Sequence, residues 1–466
     1  MTMIDVGTAD SRTLTIDYRV AASPGSDASQ PLTFGIYRSA DAAFSSDDVA
    51  VQDAALIRVA VDDSGGPAAS EGAHRISLRL PVGLPIDTTH PYVLAVANPQ
   101  GSTATTDPTQ AASFRKYTIG VVTHGGYQNK SWKNGPPWAL QIGTLMKQQG
   151  YDAVIPYNWV RESSTPGAAV KQGPRLANLI LRAAEGFASS DPVDLHLVAH
   201  SEGAVVNMIA LNRIEAEGTP QIDAGYVELT LLDPHAASNA VPGRDFSSSG
   251  GLLGGIANLS IKNYQGRAND PQVAIPPTAD DVQVFYQHTT ASAADTVYNL
   301  WGQVPVAKAG AETHYYNLGA MNVTHSGKKG VANWYLNVIA PPLGQPTSLL
   351  DPLKLDGTLA TPTATTTTAP KPDRTILGNQ ATFIGTATPD ALVRLYLGPT
   401  ADPSTIALEA QTTADPTGHW SLTTKPLPPG RYRAVAMSYA SQLRTRPSLA
   451  IVPMAILGRF RVEAKA

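Results

Sequence analysis

His196-Leu197-Val198-Ala199-His200-Ser201-Glu202-Gly203-Ala204 is the stretch whose reading decides the fold. An apolar strand, Asp194 to Ala199, runs into His-Ser-x-Gly and straight on into a helix, Gly203 to Glu217. A strand that becomes a helix with no loop between them needs a strained turn. Residues two before and two after its centre must let backbones approach closely, which Ala199 and Gly203 permit. Ser201 then projects above the sheet, near the N-terminus of the following helix, where a hydroxyl can serve as a nucleophile. The plainer alternative is a serine that only occupies a buried strand–helix turn.

Strands and helices alternate on both sides of this unit. Tyr117 to Thr123 is a near-continuous apolar run, as expected of a strand buried on both faces. A helix over Pro137 to Gln149 follows, with Trp138, Ile142 and Leu145 on one face and Gly150 as its stop. Ala153 to Pro156 reads as a strand. Pro174 is expected to open a second helix, with Leu176, Leu179, Ile180 and Ala183 at helical spacing. Val227 to Leu232 and Val282 to Tyr286 read as further strands, and Asn333 to Ile339 lies in a last helix. Alternation of this kind predicts an α/β unit, a mostly parallel sheet with helices on both faces.

The serine turn resembles the nucleophile elbow of the α/β-hydrolases. Ala199 departs from the usual Gly-x-Ser-x-Gly and matches the Ala-His-Ser-x-Gly form of some small bacterial lipases. The first apolar strand ends Val122-Thr123-His124-Gly125-Gly126-Tyr127, which resembles the oxyanion loop of lipases. That resemblance implies the amides of Gly126 and Glu202 as the two oxyanion donors, with Tyr127 as the rival to Gly126. A plain glycine turn is the other reading of the loop.

The general base is expected after the serine and the acid in chain order. Of the ten histidines, His74, His90 and His419 lie outside the central unit. His124 and His200 belong to the motifs above, and His196 lies inside a strand. His235, His288, His314 and His325 remain. His325 leads, because Val323-Thr324-His325-Ser326-Gly327 is a polar loop before a helix with Val331, Trp334, Tyr335 and Val338 at core spacing. This looks like the hydrolase pattern of a loop histidine before the final helix. His314 is the rival, although Tyr315 and Tyr316 beside it suggest a strand. For the acid, Leu231-Leu232-Asp233-Pro234-His235 resembles the Leu-Asp-Pro turn of the pancreatic-type lipases, which implies Asp233. Asp295, after the following strand, is the conventional alternative. Asp233 could also be a turn or capping residue before proline.

Asp233, His235, His288 and His314 include possible metal ligands, but no His-Glu-x-x-His spacing exists, so neither a catalytic metal nor any cofactor is expected. A structural calcium at Asp41, Asp47 and Asp48 stays open beside a plain solvated loop. An insertion of about 45 residues follows Asp233, long for a βα connection. Its Phe246, Leu252, Leu253 and Ile256 among Gly and Ser could cover an acyl pocket, or form a surface excursion.

The chain has 466 residues, and a single core rarely grows past about 250–300, so several domains are expected. The first ~115 residues read as short strands: Arg12 to Val20, Leu32 to Arg38, Ala55 to Val61, His74 to Leu80 and Tyr92 to Ala97. Phe34-Gly35-Ile36-Tyr37-Arg38-Ser39-Ala40-Asp41 resembles the Ig-like modules of bacterial surface proteins. The tract 361–373, rich in Thr and Pro, reads as an extended linker. Beyond it, Phe383 to Ala387, Val393 to Leu397, Gly418 to Leu422 and Gly430 to Ala434 resemble the Ig-like repeats of large bacterial surface proteins. The expected division is a β-sandwich at 1–115, an α/β-hydrolase domain at 116–345, a linker at 346–373 and an Ig-like β-sandwich at 374–466. A protein ending near Leu359 is then expected to keep its fold and its activity on small esters.

Lys+Arg is 34 against Asp+Glu 38, a net charge of -4, with no run of cations to hold nucleic acid or an anionic membrane. The absence of cysteine excludes thiol catalysis, disulfides and Cys-based zinc sites. No apolar stretch approaches the ~20 residues of a membrane span. The sandwich modules point to an extracellular or cell-surface protein, with a cytoplasmic one as the alternative. The lipase and esterase resemblance implies hydrolysis of a small-molecule, lipid or polymeric carboxylic ester through an acyl-serine. An amide or thioester hydrolase, or an exported glycan- or polymer-binding protein on a degenerate hydrolase scaffold, remains open. Oligomeric state is not readable.

Overall fold

The computed structural model describes residues 1–22, 31–51, 57–80, 83–84, 86–99, 111–126, 132–234, 236, 270–287, 312–318, 323–338, 374–377, 379–386, 392–399, 407–439 and 454–463. Of the residues singled out in the sequence, Tyr127, His235, His288, Asp295, the 246–256 segment and the 361–373 tract lie outside these residues.

The N-terminal strands are β1 (Thr2–Asp10), β2 (Thr13–Val20), β3 (Leu32–Ser39), β4 (Val49–Ala50), β5 (Ile57–Val59), β6 (Gly72–Arg79), β7 (Tyr92–Ala97) and β8 (Ala111–Arg115). They form two antiparallel sheets, β1-β2-β6 and β4-β3-β7-β8, with β5 on β3. One apolar core lies between them, fed by the alternate residues Leu14, Ile16 and Tyr18 of β2 and by Phe34, Ile36, Val93 and Ala95 opposite. Period-2 alternation puts those side chains on one face. Strands β1, β4 and β8 carry no strong alternation and were not expected from sequence. The acidic loop after β3 is spent on turns: Asp41 accepts the Ala43 amide at 2.8 Å, Asp48 accepts the Ser45 amide at 2.8 Å, and Asp47 takes the Ser45 hydroxyl. Among the described residues no group of three or more potential ligands could hold a metal ion.

The central unit follows as β9 (Tyr117–Thr123), α1 (Pro137–Gln148), β10 (Ala153–Tyr157), α2 (Ala168–Ala184), β11 (Val193–His200), α3 (Gly203–Glu217), α4 (Pro220–Asp223), β12 (Val227–Leu232), β13 (Asp281–Tyr286), β14 (Glu312–Asn317) and α5 (Val331–Val338). Six strands pair in the order β10-β9-β11-β12-β13-β14, all parallel. Every residue of β11 and of β12 is buried, as a sheet covered on both faces requires. Helices α2 and α3 pack on one face over Leu195, Leu197, Leu229 and Val282. Helices α1 and α5 pack on the other over Val122, Val198, Leu232 and Phe285.

Two sequence expectations about helices need correction. Helix α2 starts at Ala168, not at Pro174, which sits inside it. Proline there removes one bond, to the carbonyl of Val170, a residue on the exposed side of the helix at 40%. Leu179, expected on the core face, is 41% exposed, whereas Leu176 and Ile180 are fully buried. A helix on an α/β sheet buries a stripe narrower than its apolar content allows.

At the base of the sheet Lys116 joins the N-terminal unit to the central one. It is 1% exposed, with its ammonium 2.7 Å from Asp194 and 3.2 Å from the Leu84 carbonyl. Among the described residues no helix is long and apolar enough to cross a membrane.

The C-terminal strands are β15 (Arg374–Leu377), β16 (Thr382–Thr386), β17 (Leu392–Pro399), β18 (Ala407–Thr413), β19 (His419–Thr423), β20 (Gly430–Tyr439) and β21 (Met454–Glu463). They form a five-stranded sheet, β15-β21-β20-β17-β18, and a two-stranded one, β16-β19, around a core holding Phe383, Leu395 and Trp420. Tyr396 of β17 points out of that core. It is 3% exposed and joins the cluster of Trp138, Met146, Trp334 and Tyr335. Sequence alone could not show this contact, and it alters the truncation expectation. A chain ending near Leu359 loses about 1.5–3 kcal/mol for that one side chain. Its melting temperature should fall by roughly 3–12 °C. Calorimetry of the truncated and full chains checks this; equal melting temperatures would show that the contact contributes nothing.

Candidate active site

Five of the six central strands deliver a polar or aromatic residue just past their C-terminal ends. His124 follows β9, Trp159 lies two residues after β10, Ser201 follows β11, Asp233 follows β12 and Gln287 follows β13. Carboxyl ends are where a parallel sheet leaves room for a ligand. His325 comes from the loop after β14, ahead of α5.

The structure brings Ser201, His325 and Asp233 into one hydrogen-bonded line. Ser201 Oγ lies 2.9 Å from His325 Nε2, and His325 Nδ1 lies 2.8 Å from Asp233 Oδ2. An ionised carboxylate can only accept, so Nδ1 carries the proton and the Nε2 lone pair faces the serine hydroxyl. The three residues are 4%, 6% and 0% exposed, so little water competes for these bonds.

Both Ser201 and Asp233 have left-handed backbone, φ 58° and φ 48°. Asn98 is the one other non-glycine with positive φ among the described residues, so such conformations concentrate at this site. The elbow is held by the Ser201 amide on the Leu232 carbonyl at 3.0 Å and by the Ala204 amide on the Ser201 carbonyl at 3.1 Å. Glu202 stands at the N-cap of α3, with its amide at the start of that helix.

Two glycines let the β9 tip lie against the elbow. A Cβ on Gly203 would come 2.7 Å from the His124 carbonyl and 2.8 Å from that of Thr123. A Cβ on Gly125 would come 2.5 Å from Ser201 Cβ and 2.9 Å from its Oγ. Gly126 is the next residue along. Gly125→Ala must therefore push the loop off the serine. An ångström-scale misplacement costs on the order of 100-fold, so any turnover through Ser201 should fall by about that factor while far-ultraviolet circular dichroism is kept. Wild-type turnover would show that the loop yields freely.

The sequence motifs contain two histidines whose roles only the structure shows. His124 takes the Trp159 amide on Nε2 at 3.0 Å and gives Nδ1–H to the Gly125 carbonyl at 2.8 Å. Trp159 stacks on it and donates its indole N–H to the His124 carbonyl at 2.7 Å. His200 donates Nε2–H to the His325 carbonyl at 2.8 Å, and its ring packs against that of His325, with centroids 4.9 Å apart. Burial pushes His124 down to about 4; burial, with His325 adding to it, pushes His200 down to about 3. Both rings are therefore neutral at working pH, which suits their single-proton bonds.

His314 lies within β14, in register with Gln283 and away from the strand tips. His196 is inside β11, bonded to the Tyr151 hydroxyl at 2.9 Å and near Thr230. Trp159 and Gln287 were missed in sequence; the legible signal was their place just past the end of an apolar strand.

A scan against protein-family profiles and a search of curated proteins both return no match. Among solved structures the chain is similar to RedJ, determined with a PEG molecule bound in its active site, at 10% identity over 46% of this chain and 88% of RedJ, TM-score 0.26. It is also similar to a protein from Silicibacter sp. assigned as a thioesterase, at 18% identity over 55% of this chain and 77% of that one, TM-score 0.25. Likeness at this level carries no chemistry across.

Proposed function

We propose that the chain is a serine hydrolase of the α/β-hydrolase type that cleaves carboxylic esters through an acyl-serine intermediate. The observation that carries this reading is the line from Ser201 through His325 to Asp233, with Ser201 on a left-handed turn between β11 and α3. His325 Nε2 takes the Ser201 proton as Oγ attacks the carbonyl carbon. The amides of Gly126 and Glu202 receive the charge that develops on the carbonyl oxygen. His325 returns the proton to the leaving alkoxide as the C–O bond breaks, and a water repeats the sequence to free the acid. Asp233 holds the ring and stabilises its charged form.

The same reading divides the chain into a sandwich at 1–115, the hydrolase unit at 116–345 and an Ig-like sandwich at 374–466. Labelling by a fluorophosphonate, followed by turnover of p-nitrophenyl esters of graded length, tests it. Labelling at Ser201 with turnover is expected. No labelling and no turnover would leave a degenerate scaffold that binds rather than cuts.

A further inference from the structure

Asp233 is held from the neighbouring strand, not from its own. Its amide donates to the Phe285 carbonyl at 2.6 Å, at the end of β13. Its Oδ1 accepts the Gln287 amide at 3.1 Å, and its Oδ2 accepts Gln287 Nε2 at 3.0 Å. The same Oδ2 takes His325 Nδ1–H at 2.8 Å. Gln287 is 3% exposed, so no water stands ready to replace it. Its carboxamide must present nitrogen here, because its oxygen would face a carboxylate with no proton between them.

We propose that Gln287 is a positioning residue: it locks the Asp233 carboxylate in the plane that meets His325, and it keeps the tip of β13 uncharged, so that one negative charge backs the base. Two donors on one short segment fix both oxygens, which a single bond could not. A neutral side chain matters as much as a donating one. A second carboxylate within hydrogen-bond reach of the first would compete for the same proton and alter the charge behind the base. The His200 and His124 rings near the pair stay neutral, and the buried Glu202 is the acidic side chain next to Ser201 on the α3 side.

This inference rests on the serine-hydrolase reading, and the test separates the two. Gln287→Met keeps the shape and removes the side-chain donor; Gln287→Glu keeps the shape and sets a second carboxyl against Asp233, where it can donate only while the pair shares a proton. In the full chain, Gln287→Met should lower kcat by about 10–100-fold, the scale of one lost hydrogen bond to a charged group, with KM within about twofold. Gln287→Glu should work near the wild-type rate while it shares one proton with Asp233 and so still donates, and should lose activity as pH rises and that proton leaves. The His325 Nδ1–H resonance followed by NMR should change over the same pH range, and should differ from wild type in Gln287→Met, a readout that needs no turnover. If Gln287→Met does not fold by circular dichroism, Gln287→Asn, one methylene too short to reach Oδ2, replaces it with the same expectation. Wild-type kcat in the neutral variant, or a Gln287→Glu protein with the wild-type pH profile and an unchanged His325 Nδ1–H resonance, would reduce Gln287 to packing and overturn the proposal. A wild-type protein that neither labels nor turns over would instead overturn the hydrolase reading, and the NMR arm would still judge Gln287.

Discussion

Ser201→Ala should abolish ester hydrolysis, with a loss on the order of 10⁴-fold or more, while the protein stays folded. The loss of a nucleophile leaves only oxyanion stabilisation and substrate binding to act on the reaction. The fold should survive, because the Oγ contributes to the site and not to the core. The bonds that hold the elbow are backbone bonds, the Ser201 amide on Leu232 and its carbonyl on Ala204, and alanine keeps both. The Gly125 backbone that lies on Ser201 also keeps its room, since alanine is the smaller residue. Turnover of p-nitrophenyl acetate, the mass of the fluorophosphonate adduct and the melting temperature are the measurements. Unchanged turnover by a purified Ser201→Ala protein would remove the whole assignment.

Asp233→Asn should cost on the order of 10⁴-fold in kcat, and Asp295→Asn little. The geometry around Asp233 explains why so small a change is so costly. Three N–H groups converge on its two oxygens, from the Gln287 amide, Gln287 Nε2 and His325 Nδ1. Asparagine has one oxygen for them. With that oxygen at the Oδ2 position, its NH₂ meets the Gln287 amide donor. With the oxygen at Oδ1, its NH₂ meets His325 and pushes the ring proton to Nε2, where it can no longer accept from Ser201. Either arrangement sets donor against donor in a site with no exposed surface at Asp233. Comparing the two variants in the same ester assay decides the matter. The reverse order would move the acid to the segment after β13.

The elements that were legible in sequence share one feature, strong local patterning. Strands β9, β11 and β12 read as apolar runs because a parallel strand covered on both faces has no solvent side to mark. Pro137 and Gly150 bracket α1 as start and stop signals do. The elbow was legible because a strand that turns into a helix within a few residues tolerates so few side chains. Gly203 shows the reason, with two carbonyls within 3 Å of where its Cβ would be. Less regular pieces escaped. Short β4 and unpatterned β8 carry no period, and α2 runs through a proline that local rules read as a beginning.

By itself the sequence determined the class of the central unit, the serine turn, the glycine loop ahead of it and a short set of histidines and acids. These are local properties, set by which side chains a few consecutive residues can accommodate. Only the tertiary structure decided which of those candidates meet. His325 lies 124 positions from Ser201 and 92 from Asp233, and nothing in local patterning ties such distances together. The sheet order does so, by setting the tips of β11, β12 and β13 side by side and returning the chain after β14 over them. The same geometry gave Gln287 and His200 their work, because a hydrogen bond is decided by direction and distance in space, while sequence records only neighbours along the chain.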